Sequence, residues 1–343
     1  MSDEQKKLTQ IGEIGKSGLI DRIIKNAKIK NEGSIQGSGD DAAVIECKNK
    51  QVVTSVKILN EGIHFNLVYF PLKHLGYKAV VSSISNIYAM DAIPRQILTG
   101  ISLSNRFSVE AVEEIYEGIH MACNKYGIDL VGGETTSSGS GLSIAVTAIG
   151  EANSNHLVYR NGARPNNLIC VTGNLGAAYL GLQLLEREKA VFEENRNVQP
   201  DLTGHDYILE RQLKPELKIE VFEKLHELNI VSTAMIDISD GLAPDLLHLC
   251  ESSQVGCRIY QDKIPIDGEA EKAAEEFNLE PTTCALNGGE DYEFLFTVSI
   301  DLFEKIKEIT NVSIIGHIEP NNEGHKLITI NKEAIELISA KGG

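Results

Sequence analysis

The sequence reads as a mixed α/β chain of two domains, of the α+β type, and three observations lead there. Its 343 residues suffice for two cores of ordinary size. Apolar runs of strand length alternate with stretches at helical spacing along the chain. A polar stretch at 153–167, carrying Gly162 and Pro165, interrupts that alternation near the middle. The division expected is therefore 1–152 and 153–343.

In the first part, 42–46 and the Val-rich 51–58 read as strands. Apolar residues at helical spacing fill 73–90, and 95–104 is a further strand. Ser108, with Glu110 close behind, reads as the cap of a helix running to about Tyr126. A short buried strand at 128–131 ends in Gly132-Gly133, and 142–150 is another strand. In the second part, a strand at 168–172 turns at Gly173 into a helix over 175–187. The charged stretch 189–206 reads as loop. Helices at 216–228 and 244–251 flank a buried strand at 232–236, and strands at 293–298, 312–318 and 326–330 complete the part.

Composition narrows the function classes. Hydrophobic residues make up 42% of the chain, which indicates globular cores. No apolar run approaches the roughly 18 residues that span a bilayer. The opening ten residues are polar, which argues against a secretory signal, and the six scattered cysteines form no C-x-x-C pair. The expectation is a cytoplasmic protein with reduced thiols and no membrane partner. A net charge of −17 argues against nucleic-acid binding. It also requires that any phosphorylated substrate be met through cations.

Gly15-Lys16-Ser17 imitates the end of a phosphate-binding loop, but Gln10 stands where that loop needs its first glycine and no strand precedes it. The stronger signals are acidic. Gly39-Asp40-Asp41, Gly132-Gly133-Glu134, Asp237-Ile238-Ser239-Asp240-Gly241 and Gly288-Gly289-Glu290-Asp291-Tyr292-Glu293 each set carboxylates at a glycine beside a buried strand. One such turn is an ordinary acidic turn or helix cap. Four of them imply carboxylates close enough to need cations between them. Oxygen ligands without supporting His or Cys favour Mg²⁺, which commonly bridges carboxylates to phosphates.

These motifs, taken in order with Glu61-Gly62-Ile63-His64-Phe65, Gly76-Tyr77-Lys78-Ala79, Ala89-Met90, Arg160-x-Gly162-Ala163 and Val171-Thr172-Gly173-x-Leu175-Gly176, resemble those of thiamine-monophosphate kinase. The resemblance covers about 10 to 330 and extends to the fold shared with aminoimidazole ribonucleotide synthetase and selenophosphate synthetase. It implies ATP-dependent phosphorylation of thiamine monophosphate to thiamine diphosphate, with Mg²⁺ as cofactor. By position, Asp40, Asp41, Ser55, Asn86, Asp237 and Asp240 would serve the metal, and Gly133, Glu134, Arg160 and Ser239 the nucleotide. His64 and Glu290 would serve the thiamine phosphate. The resemblance further implies a homodimer paired through the N-terminal sheet, with 1–152 as the nucleotide, metal and dimer domain. The acceptor is a phosphate oxygen, already ionised at neutral pH, so no general base is required.

Three positions depart from that family. Lys57, Asn86 and Glu134 stand where it has aspartates. Glu134 adds one methylene, Asn86 loses a charge, and Lys57 replaces a ligand by a cation. Two accounts follow from the residues. Either Lys57 stands in for an ion, or touches a phosphate, in a working kinase, or the chain binds nucleotide or thiamine phosphates without turnover. Selenophosphate synthetase would need a reactive Cys within 33–39, and none is there.

Overall fold

The computed structural model describes residues 9–36, 44–47, 50–152, 157–196 and 199–339. It falls into two compact units, one of 1–87 with 92–154 and one of 88–91 with 155–343. Asp40 and Asp41 lie outside the described residues, as does part of the strand expected at 42–46.

Unit 1 opens with α1 (Ile11–Ile24) and a short ribbon of β1 (Ser34–Gln36) and β2 (Val44–Ile45). β3 (Gln51–Asn60), α2 (Leu72–Tyr88), β4 (Ile93–Leu103), α3 (Val109–Tyr126), β5 (Asp129–Ser137) and β6 (Leu142–Ala152) follow. Four of these strands form a sheet in the order β3-β6-β4-β5, with β4 and β5 parallel and the other pairs antiparallel. Strand periodicity of two divides its faces. Val53, Leu59, Ile97, Ile101, Ile144, Val146 and Ala148 are buried on one face. On the other, Val52, Val56 and Ile58 of β3 are each at least 50% exposed. The Ser108 cap forms as read: its hydroxyl accepts from Ala111 N–H at 3.3 Å, and α3 ends at Gly127 in the left-handed region.

β5 corrects one expectation. The strand does not stop at Val131 but continues through Gly132, Gly133 and Glu134, because β4 offers it a continuous parallel ladder. The glycine pair is therefore strand and not turn. A Cβ on Gly133 would sit 2.1 Å from the Thr99 carbonyl oxygen, so the close approach of β4 and β5 demands glycine there.

Unit 2 contains β7 (Leu168–Thr172), α4 (Ala177–Glu194), α5 (Asp206–Leu213), α6 (Ile219–Glu227), β8 (Ala234–Ile238), α7 (Leu242–Ser253) and β9 (Gly256–Tyr260). It continues with α8 (Gly268–Glu276), α9 (Pro281–Asn287), β10 (Glu293–Val298), α10 (Phe303–Lys307), β11 (Val312–Glu319), β12 (His325–Ile328) and β13 (Ala334–Glu336). A seven-stranded sheet runs β13-β12-β9-β11-β7-β10-β8, antiparallel except between β9 and β12. Ile169, Val171, Ile236, Ile238, Leu295 and Ile318 pack from it against Leu242, Leu246 and Leu249 of α7. The stretch 189–206 is helix as far as Glu194, against the expected loop. Among the described residues no helix is long and apolar enough to cross a membrane.

Candidate functional site

Three motif loops meet at one end of the unit 2 sheet. β7 and β8 flank β10 on either side and run antiparallel to it. The chain leaving β7 at Thr172, the chain leaving β8 at Ile238 and the chain entering β10 at Glu293 therefore lie at the same end of the sheet. Asp237 is buried within β8, opposite Phe294, while Ser239 is half-buried and Asp240 exposed beyond the strand.

Asp245, in the first turn of α7, shapes this corner. Its Oδ2 accepts from the N–H groups of Ser239, Asp240 and Gly241 at 3.0, 3.0 and 3.3 Å. Burial pushes the Asp245 carboxyl up to about 7, with the charges of Asp240 and Asp237 adding to the rise and the backbone N–H groups opposing it. The acidic loop docks on the same corner. Glu290 N–H donates to the Ser239 carbonyl at 2.8 Å and Tyr292 N–H to the Ile238 carbonyl at 2.9 Å. Gly289 takes φ +72°, and a Cβ there would meet the Ser239 carbonyl oxygen at 2.8 Å, so both conformation and space select glycine.

The acids of that loop divide by environment. Asp291 is fully buried and accepts from Gly176 N–H at 2.8 Å and Ala178 N–H at 3.4 Å, which caps the start of α4. Burial pushes its carboxyl up to about 6 against the opposing pull of Arg211 and the two N–H groups. Glu293 is equally buried, with Oε1 3.0 Å from Arg211 Nη2 and Oε2 accepting from Thr172 Oγ1 at 2.5 Å. Glu290 remains half-buried, and Gln212 Nε2 donates to its Oε2 at 3.1 Å. Arg211 and Gln212 carry no signal in the sequence motifs. They sit in a stretch with two polar residues on its buried side, which hides it from hydrophobic periodicity. Arg160 is exposed, and its chain runs beside β8, where Met235 N–H donates to the Tyr159 carbonyl at 3.2 Å.

Unit 1 holds the other candidates. Asn86 Nδ2 donates to Ser55 Oγ at 2.8 Å, so α2 and β3 bring those two together. Lys57 lies two residues along β3 from Ser55 and therefore on the same face, between the buried Val53 and Leu59. His64 is exposed in the turn after β3, its Nδ1 accepting from Asn60 N–H at 3.0 Å. Glu134 is not brought to this group. It pairs with Gly100, which pairs with Ala145, which pairs with Ile58, and so shares the exposed face with Ile58 and not the face of Ser55. β3 and β5 are opposite edges of the sheet, roughly 14 Å apart at the usual strand spacing. A cavity of about 460 Å³ elsewhere in unit 1, lined by Lys50, Arg95 and Glu151 among others, includes none of the candidate residues.

The donor chemistry of the two units differs toward Mg²⁺. Asp237 and Asp240 offer the carboxylate oxygens that a hard cation takes, whereas Asp245 spends one oxygen on three N–H groups. Ser55 and Asn86 offer neutral oxygens only, with an ammonium on the same face, and by themselves they do not fit a divalent ion. Among the described residues no group of three or more His, Cys, Asp and Glu is placed to share one ion.

Comparison with known proteins agrees with the motifs. Residues 39–152 match the AIR synthase related protein, N-terminal domain, family. The chain aligns with the thiamine-monophosphate kinase of Aquifex aeolicus at 32% identity over 90% of its length and 93% of the relative's. It superposes on the crystal structure of thiamine-monophosphate kinase from Stenotrophomonas maltophilia K279a with a TM-score of 0.78 at 28% identity, covering 92% of this chain and 96% of that one. The structure of AaThiL complexed with AMPPCP and TMP superposes with a TM-score of 0.72 at 29% identity over 98% of each chain. Fold and motifs thus define an enzyme with the two-domain architecture of the aminoimidazole ribonucleotide synthetase relatives, as the sequence led us to expect. The chain belongs to the thiamine-monophosphate kinase family.

Proposed function

We propose that the chain transfers the γ-phosphoryl group of ATP directly to thiamine monophosphate, giving thiamine diphosphate, as a cytoplasmic homodimer. The observation that carries this reading is the docking of the Glu290–Tyr292 loop on the Ser239 corner through two backbone hydrogen bonds of 2.8 and 2.9 Å. It ties the residue assigned to the acceptor to those assigned to nucleotide and metal. In this reading Ser239, Arg160 and Gly133 contact ATP, with Glu134, while His64 and Glu290 contact thiamine monophosphate. Asp237 and Asp240 would hold Mg²⁺, together with Asp40 and Asp41. Bound there, the metal would neutralise charge on the phosphates during an in-line displacement. The protein's own part is to align an acceptor oxygen that is already ionised.

Ser55, Asn86 and Lys57 set the finer question. The hydrogen bond of 2.8 Å from Asn86 to Ser55 engages a residue that stands where the family has an aspartate, and Lys57, which stands at another such position, shares the face of Ser55. We assign Lys57 to a phosphate contact in place of an ion. The same hydrogen bond favours, as the second reading, a relative that binds nucleotide or thiamine phosphates without turnover. Incubation with ATP, Mg²⁺ and thiamine monophosphate, followed by chromatography for thiamine diphosphate, separates them. Product supports the kinase, and binding without product supports the second reading. Binding of neither compound would sink both.

A further inference from the structure

We infer that Gln212 is the positioning residue of the acceptor-binding carboxylate, orienting Glu290 through a neutral amide donor. The inference rests on the assignment of Glu290 to the thiamine monophosphate site. Glu290 occupies φ +60° and Tyr292 φ +51°, in the left-handed region that a residue with a side chain adopts only when its surroundings hold it there. The backbone bonds to Ser239 and Ile238 hold one side of the loop. The last turn of α5 holds the other, where Arg211 Nη2 donates to the Asp291 carbonyl at 2.9 Å and to the Asn174 carbonyl at 3.3 Å.

The charges in the loop are distributed by this bracing. Arg211 answers Glu293 at 3.0 Å, and the start of α4 takes the Asp291 carboxyl. Glu290 alone of the three acids remains partly open to solvent. Gln212 is 2% exposed, and its amide N–H fixes Glu290 Oε2 at 3.1 Å. An amide donor sets the direction of a carboxylate without cancelling its charge, as Arg or Lys would. A carboxylate held at a fixed angle suits a cationic group of the acceptor, and thiamine monophosphate carries one in its thiazolium ring. Gln212 would therefore set the angle at which Glu290 meets the acceptor.

Calorimetric affinities for thiamine monophosphate and for ATP test this without requiring turnover. Gln212→Ala should weaken thiamine monophosphate binding about tenfold, the worth of one hydrogen bond to a charged group, and leave ATP binding unchanged. Gln212→Glu should bind thiamine monophosphate weakly at neutral pH and regain affinity, relative to wild type, on acidification, as the new carboxyl takes up a proton and becomes a donor again. A merely structural role would not produce that pH profile, and the isosteric Gln212→Glu serves should Gln212→Ala fail to fold. If Glu290→Gln weakens thiamine monophosphate binding but neither Gln212 variant does, the inference is wrong and the assignment of Glu290 stands. If Glu290→Gln binds thiamine monophosphate like wild type, the assignment itself fails and the inference falls with it.

Discussion

Lys57 carries the largest change in charge among the candidate residues of unit 1. It shares its face of β3 with Ser55, whose hydroxyl takes the Asn86 amide. If its ammonium stands in for an ion, Lys57→Asp alone should lower turnover at limiting Mg²⁺ about tenfold, because the cation is lost before a metal fills its place. Adding Asn86→Asp should restore both Mg²⁺ affinity and turnover, since ligand charge governs metal affinity. Steady-state rates against Mg²⁺ concentration check both steps, and full activity in Lys57→Ala would dismiss the role. At this scale the sequence revealed the acids and glycines but not their partners. Nothing in the motif Asp237-Ile238-Ser239-Asp240-Gly241 shows that Asp245 caps it, and nothing in Gly288–Glu293 points to Gln212. Those contacts join residues whose spacing the fold decides, not the motif.

Among the elements, the start of α4 and the acidic loop depend on one another through Asp291. Its carboxyl is raised by burial to about 6, so the folded state holds that proton more tightly than the unfolded chain. The sign follows: ionising Asp291 costs the fold stability, the cost is absent below the ordinary carboxylate range near pH 4, and it is complete above about pH 6. Between those limits this group should remove about 3 kcal/mol of stability as pH rises. Urea unfolding of wild type and Asp291→Asn across pH 4 to 7 should show a falling trend in the former that is flatter in the latter, and parallel curves would refute it. Element type was legible wherever hydrophobic periodicity was strong, as in β3, α3, β6 and β10. It failed where the buried side carries little apolar signal. α8 buries only Ala270, Ala273 and Ala274, and α5 buries Arg211 and Gln212 beside Ile208. β5 was cut short because Gly132-Gly133 imitates a turn that its ladder with β4 overrides.

For the whole molecule, the exposed face of the unit 1 sheet argues for a second copy. Among the described residues β3 and β5 are the edge strands of this sheet, and Val52, Val56 and Ile58 project from β3 at 50%, 59% and 53% exposure. An open edge beside an apolar row invites strand pairing unless it is covered. Pairing of two copies through these sheets would bury the row. It could also bring a β5 edge beside a β3 edge, which a single copy keeps at opposite sides of its sheet. Glu134 and the Ser55 group would then contribute from different copies, and activity would depend on the dimer. Light scattering at micromolar concentration should find a dimer for the wild type and a monomer for Val56→Glu with Ile58→Glu, since two carboxylates on that face cannot be buried unpaired. The monomer should keep its fold by circular dichroism but lose most of its turnover; since those positions face away from the Ser55 side of β3, that loss would come from the missing second copy and not from damage to the Ser55 group. A wild type that is monomeric, or a double variant that stays dimeric, would exclude this face as the interface. A monomeric variant with full activity would show instead that each copy completes its own site.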